Sequence, residues 1–496
     1  MRNSIYRLFL VVSLVIPGLH LHGCGGGGGG GGGLAGGGIG GTGVTSGSIT
    51  GFGSVFVNGI EFDTSGSSFD VDDDAAAIES DLGIGMVVTV TGTVNADGIT
   101  GTADSIEYDD ELEGPIAGAP DEDPDMVTKT FDVFDTTVIV DKNSTVYVNT
   151  DYDSLAQNDL VEISGYFDAN GDLVATRLEK EGDLILGTSE VEIKGTVSGC
   201  PAGGCIGTFA LGTVTVAFDG ATDLSEVPGG VINNGDFVEV RGTLDTATSV
   251  TALRIELEDE GFGDDVDKIS IEGIVTDFNG TGDFRVAGQL VDASGATFEP
   301  ASLETTIGDG DKVEVEGPIV GGTLQAIEAE QRSGDVRISA VVVSSNVAAG
   351  TVTLQIVSGQ PDITVNTDSQ TQMEDKRDDV EPFGIVDIAP LDFLDIEAFV
   401  DGTGTLIATQ IERDDPDDTE LRGSADVPPT AGNSISGGVS ILGITIATDG
   451  GTGFEDINDG AITGTFFFFQ VTDGDLVVFR DNLPADGIAD EVEFED

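Results

Sequence analysis

Three kinds of side chain in this sequence could take part in chemistry: cysteines, histidines and carboxylates. Cys24 follows a short apolar segment, and Cys200 and Cys205 stand in the sequence GCPAGGC. The two histidines, His20 and His22, both precede Cys24. A chain that begins at Cys24 would therefore contain no imidazole, which excludes a Ser-His-Asp or Cys-His nucleophile and any His-ligated zinc or iron site. The sequence also lacks a GxxxxGK[ST] loop, so nucleotide chemistry is unsupported.

The segment before Cys24 predicts export and lipid attachment. Residues 1–23 read MRNSIYRLFLVVSLVIPGLHLHG, in which a basic start precedes an apolar run, 8–16, that is too short to span a bilayer. The LHGC that ends at Cys24 resembles a bacterial lipobox. That resemblance implies a diacylglycerol on the Cys24 sulfur, cleavage before this residue and acylation of the new amine. An ordinary signal peptide followed by a chance cysteine is the alternative.

Residues 24–48 predict a lipidated cysteine followed by a flexible tether. Nine glycines follow Cys24 directly, and further glycines continue to position 47. A chain of this composition and length spans roughly 25–30 Å, which is enough to lift a folded body off a membrane. Gly rather than Asp follows Cys24, which favours the outer membrane if the source is a Gram-negative bacterium. We therefore expect a cell-envelope protein that contacts the membrane through its N-terminal lipid.

Cys200 and Cys205 predict a local disulfide. In an exported protein, two cysteines separated by a short Gly-rich segment normally close a small loop. A redox-active or metal-binding thiol pair is the alternative, but no second cysteine pair or histidine is present to complete a metal site.

The charge balance excludes several partners. The chain has 91 Asp+Glu against 19 Lys+Arg, a formal net charge of −72. Such a surface repels phosphate backbones and anionic lipid headgroups, so we expect no nucleic-acid binding and no electrostatic membrane contact. A solvated acidic surface explains most of the carboxylates. No cofactor is required, although weak Ca²⁺ binding is an alternative at two acidic segments. Their candidate ligands are Asp70, Asp72, Asp74, Asp168, Asn170 and Asp172.

An internal repeat must position these groups. Each copy contains a strand-like element, followed after 15 to 18 residues by a second one, such as ALRIELEDE at 252. In the third copy Val238 and Val240 alternate with Glu239 and Arg241, which predicts a half-buried strand. The Gly that ends most copies of the first element can relieve crowding where a curved strand bends. The six copies of the first element are GMVVTVTG (85–92), NDLVEISG (158–165), GDFVEVRG (235–242), GDKVEVEG (310–317), LDFLDIEA (391–398) and GDLVVFRD (474–481).

The repeat predicts an all-β chain of six small OB-like barrels after the signal and the tether. Each copy offers about five short strands, which suits a small closed barrel, whereas an immunoglobulin-like sandwich needs about seven. Copies five and six are degenerate. The predicted modules are module 1 (49–113), module 2 (114–185), module 3 (186–262), module 4 (263–335), module 5 (336–420) and module 6 (421–496).

These copies resemble a known bacterial module. GFGSVFVNGIEFDTS, DLGIGMVVTVTG and TADSIEYDDELEGPI in the first copy are similar to the domain of unknown function 5666. The resemblance extends over residues 49–496, and it is most specific in the first copy and weakest in the last two. It implies small OB-like barrels arranged in tandem in secreted lipoproteins. That family has no established activity, so the resemblance implies fold and location but no function.

One further motif is a run of four phenylalanines, Phe466–Phe469, in module 6. We expect it to form a strand buried between module and barrel, and an exposed adhesive patch is the alternative.

The sequence favours a non-catalytic scaffold or interaction array in the cell envelope, with an unknown envelope protein or polysaccharide as partner. A Ca²⁺-dependent adhesive or carbohydrate-binding module is the alternative. A third hypothesis is a carboxylate-only enzyme acting on glycosides. The chain has no Trp and only 5 Tyr, which disfavours the aromatic platforms that sugar-cleaving sites usually carry.

Overall fold

The computed structural model describes residues 41–494 except positions 53, 73, 123–127, 143, 259–261, 263–264, 333–335, 369–370, 379, 381, 401–403, 427–438, 457–459 and 473. The predicted signal peptide, Cys24 and residues 25–40 of the predicted tether lie outside the described residues. Within the part of the chain that is described, no helix is long and apolar enough to cross a membrane.

Module 1 is a closed five-stranded barrel. Around the barrel the order is β1–β2–β3–β6–β5 and back to β1, and every pair is antiparallel except β3 with β6. The short strand β4 adds to β6 in parallel. The strands are β1 (Gly41–Gly51), β2 (Val55–Val57), β3 (Ile60–Asp63), β4 (Ser68–Val71), β5 (Val87–Val94) and β6 (Thr100–Tyr108), with a 3₁₀ turn at Glu79–Asp81.

Modules 2 and 3 repeat this order. Module 2 contains β7 (Leu112–Pro115), β8 (Asp121–Glu122), β9 (Thr128–Val133), β10 (Thr136–Asp141), β11 (Val146–Val148), β12 (Asp159–Phe167) and β13 (Leu173–Asp183), with a 3₁₀ turn at Tyr152–Ser154. Module 3 contains β14 (Glu190–Ser198), β15 (Thr208–Leu211), β16 (Val214–Ala217), β17 (Phe237–Thr246) and β18 (Ser249–Leu257), with a 3₁₀ turn at Pro228–Gly230.

Modules 4 and 5 repeat it again. Module 4 contains β19 (Asp265–Thr276), β20 (Phe284–Val286), β21 (Gln289–Asp292), β22 (Thr297–Glu299), α1 (Leu303–Thr306), β23 (Lys312–Val320), β24 (Thr323–Gln325) and β25 (Glu328–Gln331). Module 5 contains β26 (Val336–Asn346), β27 (Thr351–Gln355), β28 (Ile363–Asn366), β29 (Gln372–Asp375), β30 (Phe393–Val400) and β31 (Leu406–Asp414), with a 3₁₀ turn at Ile385–Asp387.

Module 6 keeps the order with shorter strands. Its first strand pairs with the second and with the fifth. A hydrogen bond from the Ala489 backbone N–H to the Ala447 carbonyl oxygen joins the remaining two sides of the barrel. Its elements are β32 (Thr419–Asp426), β33 (Ser440–Ile441), β34 (Ile444–Thr445), β35 (Gly453–Glu455), α2 (Gly464–Gln470), β36 (Leu476–Asp481) and β37 (Glu491–Phe494). The predicted all-β chain of repeated OB-like barrels is therefore confirmed.

The interior of each barrel is filled by the alternate apolar residues of the repeated element. Removing these side chains from water on the inner face of every barrel supplies its main stabilisation. The same two positions of the element are buried in all six copies, which shows that the copies are structurally equivalent. These residues are Val88 and Val90, Val161 and Ile163, Val238 and Val240, Val313 and Val315, Leu394 and Ile396, and Val477 and Phe479.

The repeated glycine lies at a β-bulge. The pairing register shifts at Gly92, Gly165 and Gly242, and a Cβ atom at any of these positions would overlap a carbonyl oxygen of the partner strand. In module 5 Ala398 occupies the same place, and the register shifts there too. The expectation that this position marks a sharp bend of the strand is confirmed.

First strands join the barrels in pairs. β1 pairs with β19 in parallel, while β7 pairs with β14 and β26 pairs with β32 in antiparallel fashion. Three continuous sheets result, which unite modules 1 and 4, modules 2 and 3, and modules 5 and 6. Through this pairing, backbone groups of each first strand that a separate barrel would expose form hydrogen bonds with another module.

The predicted end of the tether at residue 48 is wrong, because residues 41–48 belong to β1. They pair residue by residue with β5. A Cβ atom at Gly43 would lie 2.6 Å from the Lys268 carbonyl oxygen, and one at Gly47 would overlap the Asn58 side chain. Glycine therefore serves close strand packing here rather than flexibility. The predicted boundaries after 113 and after 420 fall inside β7 and β32 for a similar reason, since each first strand begins slightly earlier.

The phenylalanine run is a helix, so the predicted strand is wrong. Thr463 caps α2 by accepting a hydrogen bond from the Phe466 backbone. Phe467 is fully buried against Phe454 and Phe494, whereas Phe469 is 75% exposed. The helical period separates neighbouring phenylalanines onto different faces, so the run is neither a buried strand nor one continuous apolar patch.

Candidate functional site

The most unusual chemistry of the described chain lies where modules 1, 2 and 3 meet. We call it the junction cluster. Its centre is the outer face of β14 and β17, where Glu192 is paired across the strands with Arg241, and Lys194 with Glu239. The full cluster comprises Asp72, Asp109, Asp110, Glu162, Glu192, Lys194, Glu239 and Arg241.

This outer face is buried rather than solvated. Glu192 and Glu239 are each only 2% exposed. Asp72 of module 1 lies over the face, since its carbonyl oxygen accepts a hydrogen bond of 2.9 Å from Arg241 Nη1. Asp109 lies over it as well, since its Oδ2 is 2.7 Å from Lys194 Nζ. The expectation of a solvated acidic strand face is wrong here, because module 1 covers it.

Two cationic side chains hold the carboxylates together. Arg241 Nη2 lies 3.1 Å from Asp109 Oδ1, 3.4 Å from Asp72 Oδ1 and 3.8 Å from Asp110 Oδ1. Arg241 Nε is 2.5 Å from Glu192 Oε2 and 3.2 Å from Glu239 Oε1.

Lys194 contacts a second trio of carboxylates. Its Nζ lies 3.8 Å from Glu192 Oε1 and 3.7 Å from Glu239 Oε2, besides its shorter contact with Asp109. The first trio is Asp72, Asp109 and Asp110, and the second is Asp109, Glu192 and Glu239. Within each trio the ligand atoms lie within 4.8 Å of one another, as in a metal site. In each of them a cationic nitrogen of the protein already contacts all three carboxylates.

Carboxylates outnumber these cations, and burial makes the excess charge unfavourable. Burial raises the pKa of Glu239 to about 8 and that of Glu192 to about 12, helped by nearby acids. Burial together with Glu162 and Asp72 raises the pKa of Asp110 well above its usual range. Asp109 behaves differently, since Lys194 and hydrogen bonds outweigh its burial and lower its pKa. The cluster is therefore built to hold protons as well as ion pairs.

The cluster extends into module 2 through a tyrosine. Tyr108, the last residue of β6, donates a hydrogen bond of 2.9 Å to Glu162 Oε1. Burial, followed by the charge of Asp72, raises the pKa of Glu162 to about 7. Among the described residues, none hydrogen-bonds Asp110 Oδ2 or Glu192 Oε1, although both side chains are almost fully buried. A proton on these carboxyls lowers the cost of leaving the two oxygens unpaired.

The structure separates the predicted calcium ligands of module 1. Asp72 lies in the junction cluster, grouped with Asp109 and Asp110. Asp74 is exposed, and its Oδ1 accepts a hydrogen bond from the Ala76 backbone. Asp70 lies on β4, which adds to β6. The chain turns at Asp72, where φ is 48°.

The predicted ligands of module 2 form a hairpin turn. Asp168 Oδ1 accepts hydrogen bonds from the backbones of Asn170 (2.8 Å) and Asp172 (2.9 Å). Asp168 Oδ2 accepts another from the Asn170 side chain. The carboxylate of Asp168 is thus used to shape the turn. Calcium binding by this loop stays a prediction.

Two further carboxylate groups were missed by sequence reasoning. Their ligand atoms lie within 4.8 Å of one another, and each group is accompanied by a cation, Lys376 in module 5 and Arg480 in module 6. The available signal was the rarity of Lys and Arg, because a cation in so acidic a chain attracts carboxylates. The groups are Asp395, Glu412 and Asp414 in module 5, and Glu455, Glu491 and Glu493 in module 6.

Cys200 and Cys205 are joined by a disulfide in the connection between β14 and β15, with their Cα atoms 4.6 Å apart. Both residues pack against the hydrophobic core of module 3. Cys200 also exchanges hydrogen bonds with Asn234, whose Oδ1 accepts from the Cys200 backbone at 2.8 Å. The bridge closes this small loop, and the packing and hydrogen bonds hold it against its own barrel.

Comparison with known proteins identifies the repeat but no activity. The family model described as "Domain of unknown function (DUF5666)" matches residues 43–107, 113–179, 194–256, 272–330 and 342–412. No curated protein matches the sequence significantly. Among solved structures, one titled "drosophila Unr CSD456" is similar at 10% identity with a TM-score of 0.11, covering 62% of this chain and 98% of that one. The five matched segments coincide with modules 1 to 5.

Proposed function

We propose that this chain, which belongs to the DUF5666 family and repeats its domain, is a non-catalytic scaffold of the cell envelope. The observation that carries this proposal concerns the contacts made by polar side chains on the outside of the barrels. Charged and hydroxyl side chains on the outer faces of the described modules contact other modules, so the modules support one another as one packed array. Stacked repeats can create extended surfaces that bind partners.

Contacts between different modules support the packed array. Arg337 of module 5 lies 3.0 Å from Asp141 of module 2. Tyr166 of module 2 donates a hydrogen bond of 2.8 Å to Glu272 of module 4. Thr176 of module 2 donates one of 2.6 Å to the Gly85 carbonyl of module 1. Buried or partly buried polar contacts of this type fix relative orientation more than they add stability.

We further propose that Cys24 carries the lipid that holds the array at the outer membrane. The support is the lipobox-like LHGC and the apolar run before it. Two or more acyl chains on one residue are sufficient for stable anchoring, whereas the acidic body would repel anionic headgroups.

Replacing Cys24 with Ser is expected to release the protein from membranes almost completely, because the thiol is the only proposed attachment point. The measurement is the share of protein in the membrane fraction of lysed cells, with mass spectrometry of the N-terminal peptide for the acyl chains. Cys200→Ser is the matched control and should stay in the membrane fraction. Equal membrane retention of Cys24→Ser and wild type would reject the anchor.

Crosslinking in intact cells tests the scaffold role itself. A tagged chain carrying wild-type Cys24 should recover the same envelope proteins or polysaccharide repeatedly, and Cys24→Ser, once released from the membrane, should lose them. Recovery of no partner from either form would reject the scaffold and leave the anchor unaffected.

Calcium-dependent adhesion is the second candidate function. The observation that favours it is the carboxylate group of module 5, in which Asp395, Glu412 and Asp414 approach within 4.8 Å while Lys376 contacts Glu412 at 2.6 Å. Millimolar Ca²⁺ in low salt should then raise the melting midpoint, and Asp414→Asn should reduce that rise. An unchanged midpoint would remove this candidate. Cell-to-cell adhesion assays with and without Ca²⁺ would then separate adhesion from simple stabilisation.

A further inference from the structure

A cavity of about 330 Å³ lies where modules 1, 2, 4 and 5 meet. This volume is at the small end of the range of ligand sites in proteins. Four separate barrels contribute to its wall, for example through Ser48, Tyr166, Lys312 and Gln410. Because it exists only between modules, no feature of a single barrel would reveal it.

The charged groups of the wall already have partners. Glu272 accepts hydrogen bonds from Ser48 Oγ (2.7 Å) and Tyr166 Oη (2.8 Å) and lies 3.0 Å from Lys312 Nζ. Although burial opposes it, Lys312 with Arg332 lowers the pKa of Glu272 to about 2. Arg332 itself is paired with glutamates of its own module. The wall therefore needs no charge from a ligand.

Two amide groups in the same wall are unpartnered donors. Gln372 and Gln410 are register partners on β29 and β31, and they are only 8% and 6% exposed. No residue that the structure describes accepts a hydrogen bond from either Nε2 atom. The hydroxyl of neighbouring Thr409 is likewise buried without a partner among them. A buried donor without an acceptor is unfavourable, so these groups call for an occupant that supplies acceptor oxygens.

The wall also contains aliphatic side chains. Val174, Ala175 and Ile274 contribute them. An occupant must therefore combine several oxygen acceptors with C–H faces and carry no net charge. The strongly negative chain would in any case repel an anion.

We propose that this cavity binds a small neutral polyhydroxylated molecule, of the size of one sugar unit, through Gln372 and Gln410. The hydroxyl oxygens of such a molecule accept from the two amides, and its C–H face packs on the aliphatic wall. This inference goes beyond the scaffold role and does not depend on it, since an array with or without a lipid anchor would contain the same cavity.

Calorimetric titration of the folded chain with glucose and with N-acetylglucosamine tests the site. We expect at least one of them to bind with one molecule per chain. Gln410→Met should weaken that binding about tenfold or more, because one amide–oxygen hydrogen bond is lost. Gln157→Met is the matched control, since that exposed amide donates to the Ala117 carbonyl outside the cavity and should leave binding unchanged.

A second measurement separates a ligand site from a merely structural glutamine. Since the Gln410 Nε2 atom has no acceptor among the described residues, Gln410→Met should leave the resistance of the protein to urea equal or higher while binding falls. Gln372→Met should behave in the same way. Failure of both sugars to bind the wild type, or unchanged binding by both variants, would overturn the proposal. Loss of binding with loss of stability in both variants would overturn the role assigned to the two amides.

Discussion

Replacing Arg241 with Met is expected to lower the free energy of unfolding of the first three modules by about 3–5 kcal/mol at pH 8. Removal of one partner from a buried ion pair leaves its carboxylates uncompensated, which typically costs this much. Arg241 is shared by Asp72, Asp109, Glu192 and Glu239. Loss of its guanidinium therefore weakens the contact between modules 1 and 3 as well as the outer face of module 3 itself.

Hydrogen exchange measures this effect locally, because a chain of several modules does not unfold in one step. Protection of β14 and β17 should fall in Arg241→Met, while protection of module 6 should not. Arg285→Met is the control, since Arg285 is partly exposed and 3.5 Å from an exposed Asp277. A surface pair of this kind contributes less than about 1 kcal/mol. Equal losses in the two variants would show that the junction cluster is no stronger than a surface pair.

The inner face of each barrel could be predicted from the sequence because its signal is local. In every copy, two apolar residues alternate with polar ones, and a period of two places them on the same side of a strand. Val238 and Val240 illustrate this, and both are fully buried. The glycine at the end of the element was informative for the same reason, since the pairing register shifts at it in three copies.

The outer face could not be predicted in this way. The alternating pattern predicts that Glu239 and Arg241 face solvent. Alternation distinguishes the two sides of a strand, but it does not show whether another module covers the polar side. Glu192 and Lys194 became their partners through pairing of β14 with β17, and the covering Asp109 comes from the segment that leaves β6. These contacts depend on how whole barrels pack, which no local pattern records.

The helix at Phe466–Phe469 illustrates a different limit. Aromatic residues favour strands, so a run of four predicts one. In the structure, however, the run occupies the connection between β35 and β36, where α1 and several 3₁₀ turns occur in other modules. Thr463 supplies a helix cap, and burial of Phe467 stabilises the turn. The position within the repeat decided the conformation against the local propensity.

Stability is expected to fall as pH rises from about 5 to 8, which is opposite to the usual behaviour of carboxylates that form ion pairs. Burial, followed by the charge of Asp109, raises the pKa of Glu239 to about 8. Burial also raises the pKa of Glu314 to about 8, despite the attraction of Arg332. In the unfolded chain both groups titrate near the ordinary value of 4.5. Between these values the folded protein holds protons that the unfolded chain has released.

The sign of the effect follows from this difference in bound protons. Each such carboxyl contributes stability that is fully present below pH 4.5 and is lost as pH rises through its folded pKa, at about 1.4 kcal/mol per pH unit. Glu272 acts in the opposite sense, because its pKa is lowered to about 2 and its contribution is lost as pH falls from 4.5 toward that value. The two trends place the maximum of stability near pH 5.

Urea titrations at pH 5, 6, 7 and 8 measure this slope, and glutamine variants assign it. Glu239→Gln and Glu314→Gln imitate the protonated carboxyl, so each should flatten the pH dependence of its own module and make that module more stable than wild type at pH 8. Glu226→Gln, at an exposed position of module 3, is the control and should keep the wild-type slope. Stability that rises between pH 5 and pH 8 in the wild type would contradict proton storage, and would mean that the cations of each cluster keep all its carboxylates ionised.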